Sequence, residues 1–315
     1  MKTLITGGAG FIGSHIAEEL CQRGAEVTIL DNLSEGKESN LCWKKPGDRV
    51  ELVVGDIGDE KLVKKLMAGC DWVFHEAAIA SVPRSVAEPV KSNTDNLESS
   101  LRLLVAARDL KVKRFMFASS SAIYGNHPEP AKHEGLFPDT LSPYALQKYA
   151  AERYGQLFHQ LYGLETVSLR YFNVFGPRQS FNSAYSGVIA RFCTTMLKGQ
   201  RPTIFGDGKQ SRDFVFVKNL ARANLLAAEG PSEKVAGKVF NVGGGHAIDL
   251  LQLVEEINRL TGQSLEPVFA ESRAGDVRAS LANLGAACEG LGYEPGVAWQ
   301  KGLDLTLDFY RQGGS

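Results

Sequence analysis

The sequence predicts an α/β protein: a doubly wound parallel sheet followed by a smaller α/β domain in the C-terminal part of the chain. Two observations favour this fold class. Short apolar segments alternate with helical patterns through the first half, which is typical of a parallel sheet covered by helices on both faces. The first apolar segment also runs into three glycines that open a helical pattern, which is how a Rossmann-like sheet begins.

The predicted elements follow in chain order. Buried strands are expected at 2–6, 26–30, 50–54, 72–75, 114–118 and 166–169, where short apolar runs occur. Helices are expected at 12–23, 60–68, 93–109 and 144–162, where apolar residues recur at helical spacing. After residue 172 glycine and proline become dense and the alternation ends, which indicates a second structural unit.

The first strand-to-helix turn has the features of a dinucleotide site. Gly7, Gly10 and Gly13 form a G-x-x-G-x-x-G spacing, which differs from the G-x-G-x-x-G of standard dinucleotide domains. Glycines allow the tight turn and let a pyrophosphate approach the helix N-terminus, where N–H groups favour anions. The second strand ends at Asp31. An acidic residue there binds the ribose 2′-OH and repels a 2′-phosphate, so we expect NAD rather than NADP.

A tyrosine and a lysine, Tyr144 and Lys148, occur four residues apart at the start of the last predicted helix. At that spacing both side chains lie on one face. An ammonium group beside a phenol favours the phenolate and lowers its pKa from about 10. The pair therefore indicates a base that can accept a proton from a sugar hydroxyl near neutral pH.

The composition argues against several function classes. The chain carries 35 Lys and Arg and 36 Asp and Glu, a net charge of −1, so nothing favours binding to nucleic acid or to a membrane surface. No apolar run is long enough to span a bilayer and no secretory leader is visible, so we expect a cytoplasmic protein. The 5 cysteines and 6 histidines are scattered, so we expect free thiols and no metal site.

Together, the glycine turn and the Tyr-x-x-x-Lys motif resemble the extended short-chain dehydrogenase/reductase superfamily. Further segments match its nucleotide-sugar branch, in order, at 31–34, 55–57, 75–78, 119–125, 170–178, 212–215 and 240–243. The resemblance is closest to UDP-hexose 4-epimerases, especially those that act on N-acetylhexosamines. It implies an NAD-binding domain formed by 1–172 and 213–242, and a nucleotide-sugar-binding domain formed by 173–212 and 243–315.

The resemblance also implies which residues hold the cofactor. NAD is expected to stay bound as a recycled group, because the reaction has no net redox change. The implied contacts are Gly7, Gly10, Phe11, Ile12, Gly13, Asp31, Asn32, Ser34, Gly36, Asp56, Ile57, Ala77, Ala78, Ala80, Tyr144 and Lys148. His75 ends a predicted strand near this group, and we expect it to be structural.

The implied reaction inverts C4 of a UDP-sugar through a transient 4-keto sugar that rotates before it is reduced again. Tyr144 takes the proton from the 4-OH, and Lys148 binds the nicotinamide ribose and lowers the Tyr144 pKa. The predicted strand 114–118 brings three serines to the carboxyl edge of the sheet. Of these we favour Ser121, and then Ser120, as the hydroxyl that contacts the sugar O4.

The residues that follow these serines discriminate between reactions within the superfamily. Dehydratases carry an acidic pair soon after the catalytic hydroxyl, and UDP-glucuronate decarboxylases usually carry a Glu in the same place. Here the positions are Ala122 and Ile123. The resemblance therefore disfavours both activities and favours an epimerase.

The resemblance implies a substrate site made of arginines, an asparagine and apolar side chains. Arginine suits the diphosphate because its planar fork meets phosphate oxygens in pairs. The implied contacts are Arg84, Ser121, Tyr144, Asn173, Val188, Ile189, Arg212, Asp276 and Arg278. Ser280 occupies the position where epimerases confined to non-acetylated hexoses carry a tyrosine, so it leaves space for a 2-acetamido group.

The expected function is therefore an NAD-dependent UDP-GlcNAc/UDP-GalNAc 4-epimerase that also accepts UDP-Glc and UDP-Gal. The family forms homodimers through the two helices that match 93–109 and 144–162, and we expect a homodimer here. The alternatives are a UDP-Glc/UDP-Gal-only or a uronate 4-epimerase, a net dehydrogenase or reductase, and a non-catalytic nucleotide-sugar or NAD sensor.

Overall fold

The computed structural model describes residues 1–181, 187–272 and 278–314. Its strands are β1 (Lys2–Thr6), β2 (Glu26–Asp31), β3 (Val50–Val54), β4 (Trp72–His75), β5 (Arg114–Ser120), β6 (Glu165–Tyr171), β7 (Asn173–Phe175), β8 (Thr203–Phe205), β9 (Ser211–Phe216), β10 (Lys238–Val242), β11 (Ala247–Asp249), β12 (Val268–Ala270) and β13 (Ala279–Ser280).

Its helices are α1 (Phe11–Gln22), α2 (Glu60–Met67), α3 (Val82–Ala87), α4 (Pro89–Asn93), α5 (Ser99–Asp109), α6 (Pro143–Tyr162), α7 (Val188–Leu197), α8 (Val217–Glu229), α9 (Ser232–Val235), α10 (Leu250–Thr261), α11 (Gly285–Leu291) and α12 (Trp299–Arg311). Short 3₁₀ helices span Glu38–Leu41 and Ser121–Tyr124, and a π-helical turn spans Thr94–Glu98. None of the helices in the described ranges is long and apolar enough to cross a membrane.

Seven parallel strands form the larger sheet, in the order β10-β6-β5-β4-β1-β2-β3. Neighbouring residues of a strand point to opposite faces, so Leu4 and Ile5 of β1 join different apolar clusters. On one face Ile5 packs with Ile16 of α1 and Leu220 of α8. On the other face Leu4 packs with Leu103 of α5 and with residues of α2 and α6. The doubly wound parallel sheet expected from the sequence is confirmed.

The expected strands of this sheet are all present, and three of them are longer than expected, β2 by one residue and β5 and β6 by more. β5 continues to Ser120 and β6 to Tyr171, which brings more polar side chains to the carboxyl edge. The expected helix at 93–109 is divided, because a π-helical turn separates α4 from α5. Within that turn the Asn96 amide accepts a hydrogen bond from the Ile79 backbone N–H at 2.8 Å, which ties the turn to the loop after β4.

A smaller unit follows in the second half of the chain. β9 pairs with β7, β11 and β13, β8 pairs with β12, and α7, α10 and α12 pack on a separate apolar cluster. Of the segment 213–242 that we assigned to the NAD-binding domain, α8 and β10 lie with the larger sheet, whereas most of β9 lies in the smaller sheet. The exact division into two domains stays a prediction.

Candidate active site

A cavity of about 770 Å³ opens at the carboxyl ends of β1, β2, β4, β5 and β6. Residues of the smaller unit, among them Val188 and Phe214, close its other side. Every residue expected to contact the cofactor lines this cavity: Gly7, Gly10, Phe11, Ile12, Gly13, Asp31, Asn32, Ser34, Gly36, Asp56, Ile57, Ala77, Ala78, Ala80, Tyr144 and Lys148. The residues expected to contact the cofactor are thus up to 141 positions apart in the sequence, from Gly7 to Lys148, and meet in one cavity.

The glycine turn between β1 and α1 forms a cradle that side chains would fill. Gly7 has a φ of +71°, and a Cβ on it would lie 2.6 Å from the Ala77 backbone nitrogen. A Cβ on Gly13 would lie 2.8 Å from the Gly8 Cα and would collide with the Gly7 carbonyl. The bare turn leads into the N-terminus of α1, which has no acidic residue in its first turn. This arrangement fits a pyrophosphate, which needs close backbone approach and free N–H groups.

Asp31, at the end of β2, lies 7% exposed on the wall of the same cavity. Its carboxylate accepts hydrogen bonds from the Ala9 and Leu33 backbone N–H groups, both at 2.9 Å. A Cβ on Gly36 would lie 2.8 Å from both carboxylate oxygens, so glycine is required there. The backbone thus fixes a negative charge next to the glycine turn, which fits a ribose hydroxyl and opposes a phosphate.

Helix α6 carries the tyrosine and lysine into the cavity. The Ser142 hydroxyl caps the helix by accepting the Ala145 N–H at 3.2 Å, and Pro143 occupies its first turn, where a missing N–H has no cost. Tyr144 is further fixed because its backbone N–H donates to the Ser85 hydroxyl at 3.1 Å. Lys148 is buried, and its Nζ donates to the Ala118 carbonyl of β5 at 2.7 Å.

Between these two residues, Gln147 anchors the helix to α4 and to the π-helical turn that follows it. Its side-chain carbonyl accepts hydrogen bonds from Ser92 and Asn96, each at 2.9 Å. Asn96 belongs to the π-helical turn and also holds the backbone of Ile79. Because π-helical turns disrupt the regular helix and occur frequently at functional sites, this one marks the cavity wall as a specialised region.

The expectation that Lys148 lowers the pKa of Tyr144 is not met in this structure. Burial raises the pKa of Tyr144 above its usual value, and interaction with the Ser120 hydroxyl acts against the rise. Burial also lowers the pKa of Lys148 to about 8, against the opposing effect of the Glu76 charge. The sequence pattern shows only how far apart the two residues lie on the helix. The pKa of each group depends mainly on its burial in the cavity, which the pattern does not show.

The structure favours Ser120 over Ser121, which the sequence led us to prefer, and the choice of the catalytic serine stays a prediction. Ser120 is the last residue of β5 and lines the cavity, whereas Ser121 begins the following 3₁₀ helix and is not among the described residues that line it. The physical reason is the length of β5, which runs two residues further than expected. Ser120 therefore faces Tyr144, and its hydroxyl also accepts the Ala122 N–H at 3.1 Å.

The residues expected to hold the substrate fall into two groups. Arg84, Asn173, Val188 and Ile189 line the cavity. Tyr144 also lines it. Arg212 and Ser280 lie in strands of the smaller sheet and Arg278 directly precedes β13; these three do not appear among the described cavity-lining residues.

In the smaller sheet, Arg212 of β9 and Ser280 of β13 are register partners. Arg278 is exposed and forms a two-bond ion pair with Asp207, at 2.8 and 2.9 Å. Asp276 lies outside the described residues. Arg212, Arg278 and Ser280 are therefore not among the described residues that line the cavity. The sequence did not predict this, because the motifs do not show how the strands of the smaller sheet pair.

Several polar residues of the cavity were missed by sequence reasoning. Glu76 follows β4, and its carboxylate accepts a hydrogen bond from the Tyr171 hydroxyl at 2.8 Å. A signal existed, because an acidic residue between a buried strand and two alanines is unusual for a core segment. The neighbouring His75 is structural as expected: its ring bonds Thr6 and Ser100, both at 2.8 Å, and burial lowers its pKa to about 3.

Behind the serines lies a chain of buried hydrogen bonds. Ser119 donates to Glu152 at 2.8 Å, and Arg170 contacts both oxygens of Glu152 at 2.7 and 3.0 Å. Arg170 also donates to the Tyr124 hydroxyl, which in turn donates to Asn241 at 2.7 Å. Because each charge and hydroxyl has a partner, this network can stay buried and can hold the end of β5 in one place. Within the described ranges, no cluster of His, Cys, Asp and Glu side chains is arranged to hold a metal ion.

Comparisons with known proteins find relatives along the whole chain. Residues 3–243 match the sequence profile of the NAD dependent epimerase/dehydratase family. The UDP-glucose 4-epimerase of Mycolicibacterium smegmatis is 38% identical over 313 residues and is matched over 99% of both chains.

Two solved structures are similar over almost their full length. One is a UDP-N-acetylglucosamine 4-epimerase from Methanobrevibacter ruminantium M1 in complex with UDP-N-acetylmuramic acid. It has a TM-score of 0.94 and 39% identity, with 99% of this chain and 98% of that chain covered. The other is a UDP-glucose 4-epimerase from Thermotoga maritima with UDP-glucose, with a TM-score of 0.93, 40% identity and 99% of both chains covered.

Asp31 is predicted to set the choice between the two nicotinamide dinucleotides. Asp31→Asn removes the negative charge that opposes a 2′-phosphate, so the affinity ratio of NAD to NADP should fall by about tenfold, the equivalent of roughly 1.4 kcal/mol. Titration calorimetry of the cofactor-stripped protein with each dinucleotide measures this ratio. An unchanged ratio in the variant would contradict the role of Asp31.

Proposed function

This chain belongs to the NAD-dependent epimerase/dehydratase family, and from that membership we propose that it is a UDP-sugar 4-epimerase. Its proposed substrates are UDP-GlcNAc and UDP-GalNAc, and also UDP-Glc and UDP-Gal. The observation that carries the proposal is the convergence of Ser120, Tyr144 and Lys148 in one cavity with the glycine turn and Asp31. Full-length similarity to 4-epimerases supports it.

The cofactor of the family, NAD, fits the residues of the cavity. We propose that the glycine turn and the α1 N-terminus hold its pyrophosphate, that Asp31 holds a ribose hydroxyl, and that Lys148 holds the nicotinamide ribose. When bound, NAD supplies a reversible two-electron oxidation of the sugar at C4. Because both directions of this oxidation occur in one turnover, the reaction needs no second redox partner.

The chain's own residues then move one proton and orient the sugar. Tyr144 accepts the proton of the 4-OH. Ser120 forms a hydrogen bond with O4 and so orients the 4-OH toward the Tyr144 oxygen. Burial raises the pKa of Tyr144, and the interaction with the Ser120 hydroxyl opposes that rise. The transient 4-keto sugar rotates in the cavity and presents its opposite face. Tyr144 returns the proton to O4 after that face of C4 has been reduced.

Substrate binding is proposed to use both groups of residues described above. Asn173 and Arg84 lie on the cavity wall, where an amide and a guanidinium can bind a diphosphate. Val188 and Ile189 supply an apolar wall for the uracil. Arg212, Asp276 and Arg278 are proposed to bind the diphosphate and the ribose, which for Arg278 requires release of Asp207.

The proposed acceptance of N-acetylated sugars rests on Ser280. By the family resemblance, a serine at this position leaves the room for a 2-acetamido group that a tyrosine ring would fill. Because Ser280 is not among the described cavity-lining residues, the proposal requires the sugar to reach β13. One solved relative that acts on UDP-N-acetylglucosamine has a TM-score of 0.94 to this chain, whereas another, crystallised with UDP-glucose, has a TM-score of 0.93. Overall structural similarity therefore does not discriminate between N-acetylated and non-acetylated sugars. The proposal instead depends on one side chain, Ser280.

The first experiment is a proton NMR time course on the purified protein without added NAD, with UDP-GlcNAc and UDP-Glc in parallel. Formation of UDP-GalNAc at a rate comparable with or above that of UDP-Gal is expected, because Ser280 admits both sugars. UDP-Gal alone would reject the N-acetyl proposal and keep the 4-epimerase. No product from either sugar, with NAD supplied, would contradict the 4-epimerase and would direct the assay to UDP-uronates.

The same assay tests the catalytic residues. Tyr144→Phe should lower kcat by about 10²–10⁴-fold, the usual worth of general acid–base catalysis, while NAD stays bound. Ser120→Ala should lower kcat more than Ser121→Ala, which serves as the matched control one position along the chain. Equal effects of the two serine variants would contradict the assignment of Ser120.

Ser280 is tested by filling the space it leaves. Ser280→Tyr should suppress turnover of UDP-GlcNAc by at least about tenfold and spare UDP-Glc, because the ring occupies the acetamido position. Ser280→Ala, which adds no volume, is the control and should leave both rates close to those of the parent. Equal losses on both sugars in the tyrosine variant would show that Ser280 is not a gate.

We also propose a homodimer. The outer face of α6 exposes Leu146, Tyr154, Leu157 and Leu161, with Leu161 at 67% exposure, whereas Leu104 of α5 is buried. A row of exposed apolar side chains on a long helix favours pairing with a second copy. Sedimentation equilibrium should give twice the chain mass, and Leu157→Glu should reduce it to one. A monomer at micromolar concentration would contradict the proposal.

A further inference from the structure

Helix α1 contacts both halves of the structure. Phe11 and Ile12 of its first turn line the cavity and pack against the apolar cluster of the smaller unit. Ile16, one turn after Ile12, packs in the apolar cluster on one face of the larger sheet. The helix that is proposed to hold the pyrophosphate is therefore also the surface on which the smaller unit rests.

The turn that follows β7 reaches back to this helix through polar contacts. The His15 ring donates from Nε2 to the Pro177 carbonyl at 3.0 Å, because a carbonyl oxygen can only accept. Arg178 forms an ion pair with Glu18 and also donates to the Ser14 hydroxyl at 3.4 Å. His15 and Glu18 lie one helical turn apart on α1, so two neighbouring residues of the turn are held by one face of the helix.

The backbone of Arg178 indicates that these contacts hold the turn in its shape. Arg178 has a φ of +68°, in the left-handed region that residues other than glycine rarely adopt. Such a conformation persists only where the surrounding structure holds it. The ion pair is well shielded from water, with the Arg178 side chain 12% exposed and the Glu18 side chain 19% exposed, so it is stronger than a pair on an open surface.

The same turn is joined on its other side to the smaller unit. The Gln179 side chain donates to the Val174 carbonyl of β7 at 3.1 Å, and the Gln179 carbonyl accepts a hydrogen bond from the Tyr310 hydroxyl of α12 at 2.8 Å. β7 also carries Asn173, one of the proposed substrate contacts, and pairs with β9. The turn therefore connects α1 to the elements that carry proposed substrate contacts.

We propose that Arg178 is a positioning residue: its ion pair with Glu18 holds the smaller unit against α1 and so fixes the distance between the sugar site and the cofactor site. The effect on turnover rests on the proposed 4-epimerase function, but the ion pair and its hold on the turn do not. Reacting atoms have to approach to about 3–3.5 Å, and a displacement of about 1 Å can cost up to about 10²-fold in rate. A contact far from the reacting atoms can therefore control kcat.

The hold on the turn is tested first without turnover, in Glu18→Gln, where the amide keeps the shape but removes the charge. Burial and the Arg178 and Lys218 charges lower the His15 pKa to about 3, so in the parent His15 should not titrate near neutral pH. The Glu18 carboxylate lies 4.0 Å from the His15 ring, and its loss alone favours the neutral ring further. Release of the turn acts in the opposite direction, because water reaches His15 and its pKa rises toward 6.5.

The expected result is a His15 that titrates in Glu18→Gln. It is measured by NMR of the protein with ¹³C-labelled histidine, with the His15 signal assigned by its loss in His15→Gln. Glu229→Gln is the matched control, since it removes the same charge from an exposed ion pair between α8 and Arg23 at the other end of α1. His15 should stay neutral in that variant. A His15 that also stays neutral in Glu18→Gln would overturn the proposal, and this result needs no epimerase activity.

Turnover then tests the positioning role. Glu18→Gln and Arg178→Gln should each lower kcat by about tenfold or more. The dissociation constants of UDP and of NAD, each measured alone by titration calorimetry, should stay within about twofold, because the site of each ligand remains intact. Glu18→Asp, which restores the charge, should recover part of the lost kcat.

Two outcomes would overturn the positioning role while the 4-epimerase function would stand. One is an unchanged kcat in Glu18→Gln, and the other is a loss of affinity for both ligands that parallels the loss of kcat, which indicates general damage. If the parent itself turned over no UDP-sugar, the 4-epimerase proposal would fail. The His15 titration would then still decide whether the ion pair holds the turn.

Discussion

The parallel register of β6, β5, β4, β1 and β2 is the constraint on which the rest of the site depends. Because these strands run in one direction, their last residues all lie at one edge, spaced by about 4.8 Å per strand. Asp31, Glu76, Ser120 and Tyr171 each end or follow one of these strands. Ladder hydrogen bonds hold this spacing between the ends of neighbouring strands.

Much of this arrangement was predictable because its signals are local. A glycine turn, an acidic residue at a strand end and a Tyr-Lys spacing are each written within a short segment, and parallel pairing brings such segments together. The smaller sheet could not be predicted in this way, because Arg212 and Ser280 become neighbours only through pairing of strands far apart in sequence. The Tyr144 pKa was missed for a related reason, since desolvation depends on everything that packs around the ring.

Burial has opposite consequences at the two levels of the site. Behind the edge, Glu152 and Arg170 are buried as a pair that is joined by two hydrogen bonds, so they act as a rigid support. In front of it, Glu76 and Lys148 are less completely satisfied, and their pKa values come close together near neutrality. A rigid pair of buried charges, Glu152 and Arg170, thus lies directly behind Glu76 and Lys148, whose pKa values are close to neutrality.

The way in which Asp31 is held has a consequence for the evolution of this chain. The carboxylate that we propose as a cofactor contact is the same group that fastens the loop between β1 and α1 to the loop after β2. A lineage that exchanged this residue to use a phosphorylated dinucleotide would at the same moment loosen two loops and leave two N–H groups without acceptors. A change of cofactor would therefore have to pass through a less stable ancestor or begin with compensating substitutions in those loops.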